Sequence, residues 1–184
     1  MNKQGIEKAI TELLIALGED PAREGLKETP KRVAKMYEEV LAGIKYTNEE
    51  IANMYNKCFS VDTNSIVKVK DIKAFSFCEH HLALMYDMSI DVGYIPNGKV
   101  IGLSKIPRIV ELVCKRLQLQ EKIGEDIAEI IKLATGSNDV VVKISGKHAC
   151  MTTRGVKARE SNTTTIVKHG KFKLYENYQE FNNL

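Results

Sequence analysis

The hydrophobic positions keep a helical rhythm at the start of the chain and a strand rhythm in its middle. Ile6, Ile10, Leu13, Leu14 and Leu17 recur at three- and four-residue steps, which predicts a helix over 5–17 ended by Gly18. Asp20-Pro21 predicts a short turn or helix, with Asp as cap and Pro in the first helical position. Thr29-Pro30 repeats that signal. The helix after it is expected to bury Val33, Met36 or Tyr37, Val40 and Leu41 and to stop at Gly43. Thr47-Asn48-Glu49-Glu50 has the form of a capping box and predicts a short helix through Ile51 and Met54. Cys58 follows in a predicted loop, as a small buried hydrophobe rather than a ligand.

Over 65–77 the rhythm becomes strand-like, with Val67, Val69, Phe75 and Phe77 on one parity. Leu82, Leu84, Tyr86, Met88, Ile90, Val92 and Tyr94 then occupy successive even positions, with Asp87, Ser89 and Asp91 between them. That is the period-2 pattern of a long, half-buried strand. Cys78-Glu79-His80-His81 therefore lies at the junction of two antiparallel strands, and Pro96-Asn97-Gly98 ends the second. Ser104 is expected to cap a helix with Ile106, Ile109, Val110, Val113, Cys114 and Leu117 inward. A second helix carries Leu119, Ile123, Ile127, Ile130, Ile131 and Ala134, with Gly136 as stop. Val140, Val142 and Ile144 mark a strand, Thr163–Lys168 another, and the tail from Leu174 is expected to be helical or frayed.

The order predicts an α+β fold: a β-β-α-α-β-β core (61–184) with an antiparallel sheet, preceded by a helical region (1–60) and forming one functional unit with it. Two helices cover one sheet face, so the other face is expected to need a partner and the chain to oligomerise.

Composition narrows the function classes. At 184 residues, 43% hydrophobic and 28% charged, this is an ordinary globular chain. A net charge of +3 is too small to imply a nucleic-acid partner, so any anion site must come from local clustering. No apolar run approaches the ~20 residues of a membrane span. Glu7, Glu12, Glu19 and Asp20 are unlike a signal peptide. A cytoplasmic, reducing setting is expected, in which the four Cys act as ligands and core residues rather than disulfides.

Two short segments hold most of the metal-ligating residue types: Cys78, His80 and His81 in one, His148 and Cys150 in the other. Cys78, His81 and Cys150 make a plausible zinc set, since zinc takes thiolate and imidazole and a catalytic site keeps one position open. His148 and Cys150 share the parity of Val140, Val142 and Ile144 and are expected to face one site. Three ligands plus two spare imidazoles suit metal-assisted hydrolysis; a closed structural Cys/His site is the alternative. A second constellation is basic. Ser104, Lys105 and Arg108 crowd one helix start, and with Arg154, Arg32 and Lys35 they carry enough charge for a triphosphate, although each alone reads as a surface cation. Glu121, after Gln120, needs no functional explanation in a helix's first turn, yet could accept the adjacent N–H donors of a guanine.

With these residues in view the chain resembles the GTP cyclohydrolase I family. The matching blocks run from Glu28-Thr29-Pro30-Lys31-Arg32 through Cys78-Glu79-His80-His81, Tyr94-Ile95-Pro96, Gly102-Leu103-Ser104-Lys105-Ile106 and Arg116-Leu117-Gln118-Leu119-Gln120-Glu121 to His148-Ala149-Cys150-Met151-Thr152-Thr153-Arg154-Gly155. The resemblance implies the tunnelling fold, a toroidal, cooperative homodecamer with sites at subunit contacts, and conversion of GTP to formate and 7,8-dihydroneopterin triphosphate on the way to tetrahydrofolate-type pterins. It implies Zn2+ on Cys78, His81 and Cys150, with His148 as proton donor to the purine imidazole ring and His80 as its companion. It implies Glu121 on the guanine edge with Gln120 beside it. Ser104, Lys105, Arg108, Arg154, Arg32 and Lys35 would hold the triphosphate, some from a neighbouring subunit, and Ser104 would also assist the sugar rearrangement. Met85–Met88, Pro107 and Lys147 depart from the family pattern. Met85–Met88 is one residue longer than in some members, Pro107 stands in the turn that places Arg108, and Lys147 is expected to lower the pKa of His148.

A nitrile reductase of deazaguanine metabolism would need a nucleophilic Cys and NADPH with no zinc triad, and the zinc nucleobase deaminases need H-x-E and P-C-x-x-C, which this chain lacks.

Overall fold

The computed structural model describes residues 1–183. Helix α1 (Lys3–Ala16) begins where the Asn2 side chain accepts the Gly5 N–H at 3.0 Å. Asp20-Pro21 makes a turn and no helix, because Asp20 Oδ1 accepts the Ala22 N–H at 2.9 Å and closes the chain locally. Helix α2 (Thr29–Val40) takes Thr29 as its first residue rather than its cap. Of its expected inward residues only Leu41, just beyond its end, is buried, together with Ala34. The reason is its neighbour: α2 packs mainly on α1 and the 3-10 turn that follows. Helix α3 (Asn48–Met54) forms the full reciprocal capping box on Thr47 and Glu50. It places Ile51 and Ala52 in the main core, so the N-terminal region shares the core of the sheet.

Cys58 lies on a short strand, β1 (Cys58–Ser60), rather than in a loop, and its thiol donates to the Ala134 carbonyl at 3.3 Å. Strand β2 spans Val67–Cys78, β3 Ala83–Tyr94, β4 Lys99–Ile101, β5 Leu117–Gln118, β6 Val140–His148 and β7 Thr163–Lys168. β1 pairs with β4. The other five form one sheet in the order β5-β2-β3-β6-β7, antiparallel except where β5 runs parallel to the end of β2. Helices α4 (Lys105–Cys114) and α5 (Gln120–Thr135) cover one face, giving the α+β core expected. Ile106, Ile109, Val110, Val113, Ile123, Ile127, Ile130 and Ile131 are fully buried there, each burial worth roughly 1.5–3 kcal/mol against exposure. Ser104 occupies the cap position of α4 but makes no capping bond, so its hydroxyl is not used by the helix. Pro107 sits in the first turn, where no N–H is required, and α4 continues through it. Gly136 closes α5 at φ +72°.

The simple alternation breaks twice. Asp71, at φ +58°, and Asp87, at φ +51°, each insert one extra residue into a strand. Beyond Asp71 the inward side of β2 passes to Ile72, Ala74, Ser76 and Cys78, leaving Phe75 exposed. In β3 the Asp87 bulge brings Met85 into the core with Met88, Ile90, Val92 and Tyr94, while Leu82 and Leu84 face outward. Helix α7 (Tyr175–Asn183) covers part of the second sheet face, which the helix count had left bare. There Phe181 and Phe172 pack with Val141 and Ile95, and a Cβ on Gly93 would meet the Phe181 ring at 2.6 Å.

Arg116, just ahead of β5, ties the N-terminal region to this edge of the sheet. Its guanidinium donates to the buried Asp126 carboxylate at 2.9 Å, to Asn48 Oδ1 at 2.8 Å, and to the carbonyls of Gly43 and Tyr46. Lys122 pairs with the same carboxylate. Among the described residues no helix is long and apolar enough to cross a membrane.

Candidate active site and metal centre

Four strand ends converge at one edge of the sheet. Cys78 is the last residue of β2, opposite Ala83 of β3 on one side and Gln118 of β5 on the other. Because β5 is so short, α5 starts beside Cys78 and brings Gln120 and Glu121 there. On the far side of β3, Met85 pairs with His148, the last residue of β6.

The chain then turns into a one-turn helix, α6 (Ala149–Thr152). Cys150 therefore lies on this helix and does not share a strand face with His148. The turn is held by the Thr153 N–H and hydroxyl, both donating to the Ala149 carbonyl. It swings Cys150 back over the β2 end, so that one donor atom each of Cys78, His81 and Cys150 lies within 4.8 Å of the others. Two soft thiols and an imidazole in this geometry could hold a metal ion. Burial, and then the nearby Cys78 thiol, raise the Cys150 pKa. The other cysteines stand apart. Cys114 is a core thiol pushed up to about 12 by burial, and burial also raises Cys58.

His148 Nε2 lies 2.8 Å from Gln120 Oε1. Gln120 is almost fully buried, and its amide nitrogen lies within hydrogen-bonding reach of the Ile144 carbonyl (3.4 Å), the Thr163 carbonyl (3.1 Å) and Thr165 Oγ1 (3.2 Å). Burial lowers the His148 pKa, and the Glu121 carboxylate acts in the opposite direction. Lys147 takes no part in this. Its neighbouring position on the strand aims it away, towards Asp87 at 3.8 Å. His80 is exposed, and its ring meets that of His81 edge-on at 6.4 Å.

Arg154 Nη1 lies 3.0 Å from His81 Nε2. A guanidinium can only donate, so this nitrogen of His81 offers its lone pair. The remaining cations are spread more widely. Ser104 and Arg108 are exposed and Lys105 is half-buried at the start of α4, while Arg32 and Lys35 are exposed on α2. Among the described residues none of Arg32, Lys35, Lys105 and Arg108 has a carboxylate partner, and none touches the Cys/His group. The structure thus brings together Cys78, His81, Cys150, Arg154, His80, His148, Gln120 and Glu121, and leaves the α2 and α4 cations outside that cluster. The links that pattern reading missed are the Gln120 anchor and the Arg154 contact. Both join residues far apart in sequence, and no local spacing announces them.

The family model described as GTP cyclohydrolase I matches residues 6–183. The chain is 57% identical over 178 residues to a protein of Clostridium acetobutylicum named GTP cyclohydrolase 1, covering 94% of this chain and 91% of that one. It is 57% identical over 183 residues to a protein of the same name from Ruminiclostridium cellulolyticum, covering 96% and 94%. Among solved structures, the archaeosine synthase QueF-Like in its apo form covers 59% of this chain and 97% of its own, at 20% identity and a TM-score of 0.48. That likeness is too slight to bear on the chemistry.

Proposed function

The chain belongs to the GTP cyclohydrolase I family, and from that premise we propose how its residues divide the work. As a member it is an enzyme that binds and hydrolyses GTP. In our reading Cys78, His81 and Cys150 hold Zn2+, and the products are formate and 7,8-dihydroneopterin triphosphate, entering tetrahydrofolate-type pterin synthesis. The observation that carries this is the convergence of those three donors beside the end of β6, where His148 stands with its own hydrogen-bond partner. When bound there, zinc would supply Lewis acidity and a lowered pKa for water.

The protein's own groups do the rest. His148 delivers a proton to N7 of the guanine ring, and His80, exposed beside the metal ligands, exchanges protons during ring opening. Glu121 accepts the adjacent N–H donors of the guanine edge, at the start of α5 where it also acts on His148. Gln120 lies beside it. An ion at the His81 lone pair would replace the Arg154 guanidinium and leave it free for a phosphate oxygen. Ser104, whose hydroxyl the helix does not use, joins Lys105 and Arg108 in holding the triphosphate and assists the sugar rearrangement. Among the described residues Arg32 and Lys35 have no carboxylate partner, and they lie on α2 rather than on the elements that carry the Cys/His cluster, which supports a role in a neighbouring subunit's site. A toroidal homodecamer would supply that neighbour. The free state of all four cysteines suits a reducing, cytoplasmic setting.

One experiment tests both halves. The zinc-loaded chain is resolved by size, and each fraction is given GTP. Formate and, after oxidation, a fluorescent pterin are expected from the multimer. No product in any fraction contradicts the reaction, and full activity in monomer contradicts the shared site.

A further inference from the structure

We infer that Gln120 is a positioning residue that fixes His148 as the Nε2–H tautomer and makes Nδ1 the nitrogen that carries the transferred proton. The inference rests on the reading of His148 as the proton donor and goes further by naming the atom and what determines it.

Two of the groups around the Gln120 Nε2 position are the backbone carbonyls of Ile144 and Thr163, which can only accept. Turning the amide over would set its oxygen against both, inside a side-chain environment that is only 1% exposed. The amino group must therefore face the carbonyls and Thr165, and the oxygen must face His148. An amide oxygen can only accept, so His148 Nε2, 2.8 Å away, must carry a hydrogen. In neutral His148 the lone pair is then on Nδ1. In the protonated ring, the Nε2 hydrogen stays with Gln120 and the Nδ1 hydrogen is the one free to leave. A ring nitrogen's tautomer is commonly set in this way by the bond its other nitrogen makes.

The anchor has a structural origin. Ile144 pairs with Thr165, and Gly146 with Thr163, so the β6–β7 register presents all three acceptors to the start of α5. The outer strand is thereby connected to the reacting imidazole, although β7 carries none of the ligands or acids.

The test uses the zinc-loaded protein with 15N-labelled imidazole rings. The chain has four histidines, and His148 is assigned by its loss in His148→Asn. At a pH where the rings are neutral, His148 should show a protonated Nε2 and an unprotonated Nδ1. The opposite tautomer, or an even mixture, overturns the inference whether or not Gln120→Leu folds. In Gln120→Leu the two tautomers should mix. There kcat should fall by roughly 10- to 100-fold, with KM for GTP and zinc content unchanged. A raised KM with unchanged kcat would make Gln120 a substrate contact and overturn the positioning role. If the wild-type protein releases no formate from GTP, the functional reading fails, while the tautomer still stands or falls on its own spectrum.

Discussion

Burial pulls the His148 imidazole below its ordinary pKa, and the Glu121 carboxylate pushes against that pull. The balance gives a prediction with a sign. Glu121→Gln removes the charge that stabilises the imidazolium, so His148 loses its proton at a lower pH. A step that needs protonated His148 then declines earlier as pH rises, and the falling limb of kcat against pH should move to lower pH. A limb that stays in place would mean that Glu121 does not act on the acid, whatever it does to KM. The grouping of Cys78, His81 and Cys150 was legible in the sequence because Cys and His are few and clustered. The environment of each was not. Lys147 is next to His148 in the chain and was expected to depress it, yet strand geometry sends its ammonium to Asp87. Gln120 reads as a companion of Glu121, and only the fold brings Thr165, 45 residues away, to its amide.

Two left-handed aspartates determine which side chains of the central hairpin face inward. Asp87 holds φ +51° in the bulge that turns Met85 into the core, next to the residue pair formed by Met85 and His148. A β-branched residue is strained there, and glycine is not. Asp87→Val should cost about 1–2 kcal/mol, seen as a lower urea midpoint, and Asp87→Gly should cost nothing or stabilise. Most of that cost belongs to the backbone, because the pair with Lys147 is exposed and long. Equal midpoints for Val and Gly would contradict a left-handed Asp87. Helices α4 and α5 and strands β6 and β7 followed their sequence patterns over most of their length, but α4 ends at Cys114, so Leu117, expected on its inward stripe, lies on β5, and Leu119 precedes α5 rather than lying in it. The hairpin did not follow its pattern, since even spacing from Leu82 to Tyr94 hides an extra residue. β1 and β5, at three and two residues, are too short to show a period at all. Cys150 left the strand for α6 for a similar reason: one turn of helix leaves no hydrophobic rhythm.

At the scale of the molecule, cations and apolar side chains are exposed on elements away from the Cys/His cluster. Leu13, Ile15 and Leu17 are each more than half exposed at the end of α1, and Arg32 and Lys35, without a carboxylate partner among the described residues, lie on the helix packed against it. Within one chain the sheet edge gathers Cys78, His81, Cys150, His148 and Arg154, while Arg32, Lys35, Lys105 and Arg108 remain on separate elements. The central claim is that the split motif divides its labour, so that Cys150 binds the ion and His148, two residues before it on another element, moves protons. Zinc content and GTP turnover measured side by side in His148→Ala and Cys150→Ser test this most directly. His148→Ala should keep its zinc and lose turnover by about 10²–10⁴-fold, while Cys150→Ser should lose both. Loss of zinc from His148→Ala to the same extent as from Cys150→Ser would make the histidine a ligand and contradict the account.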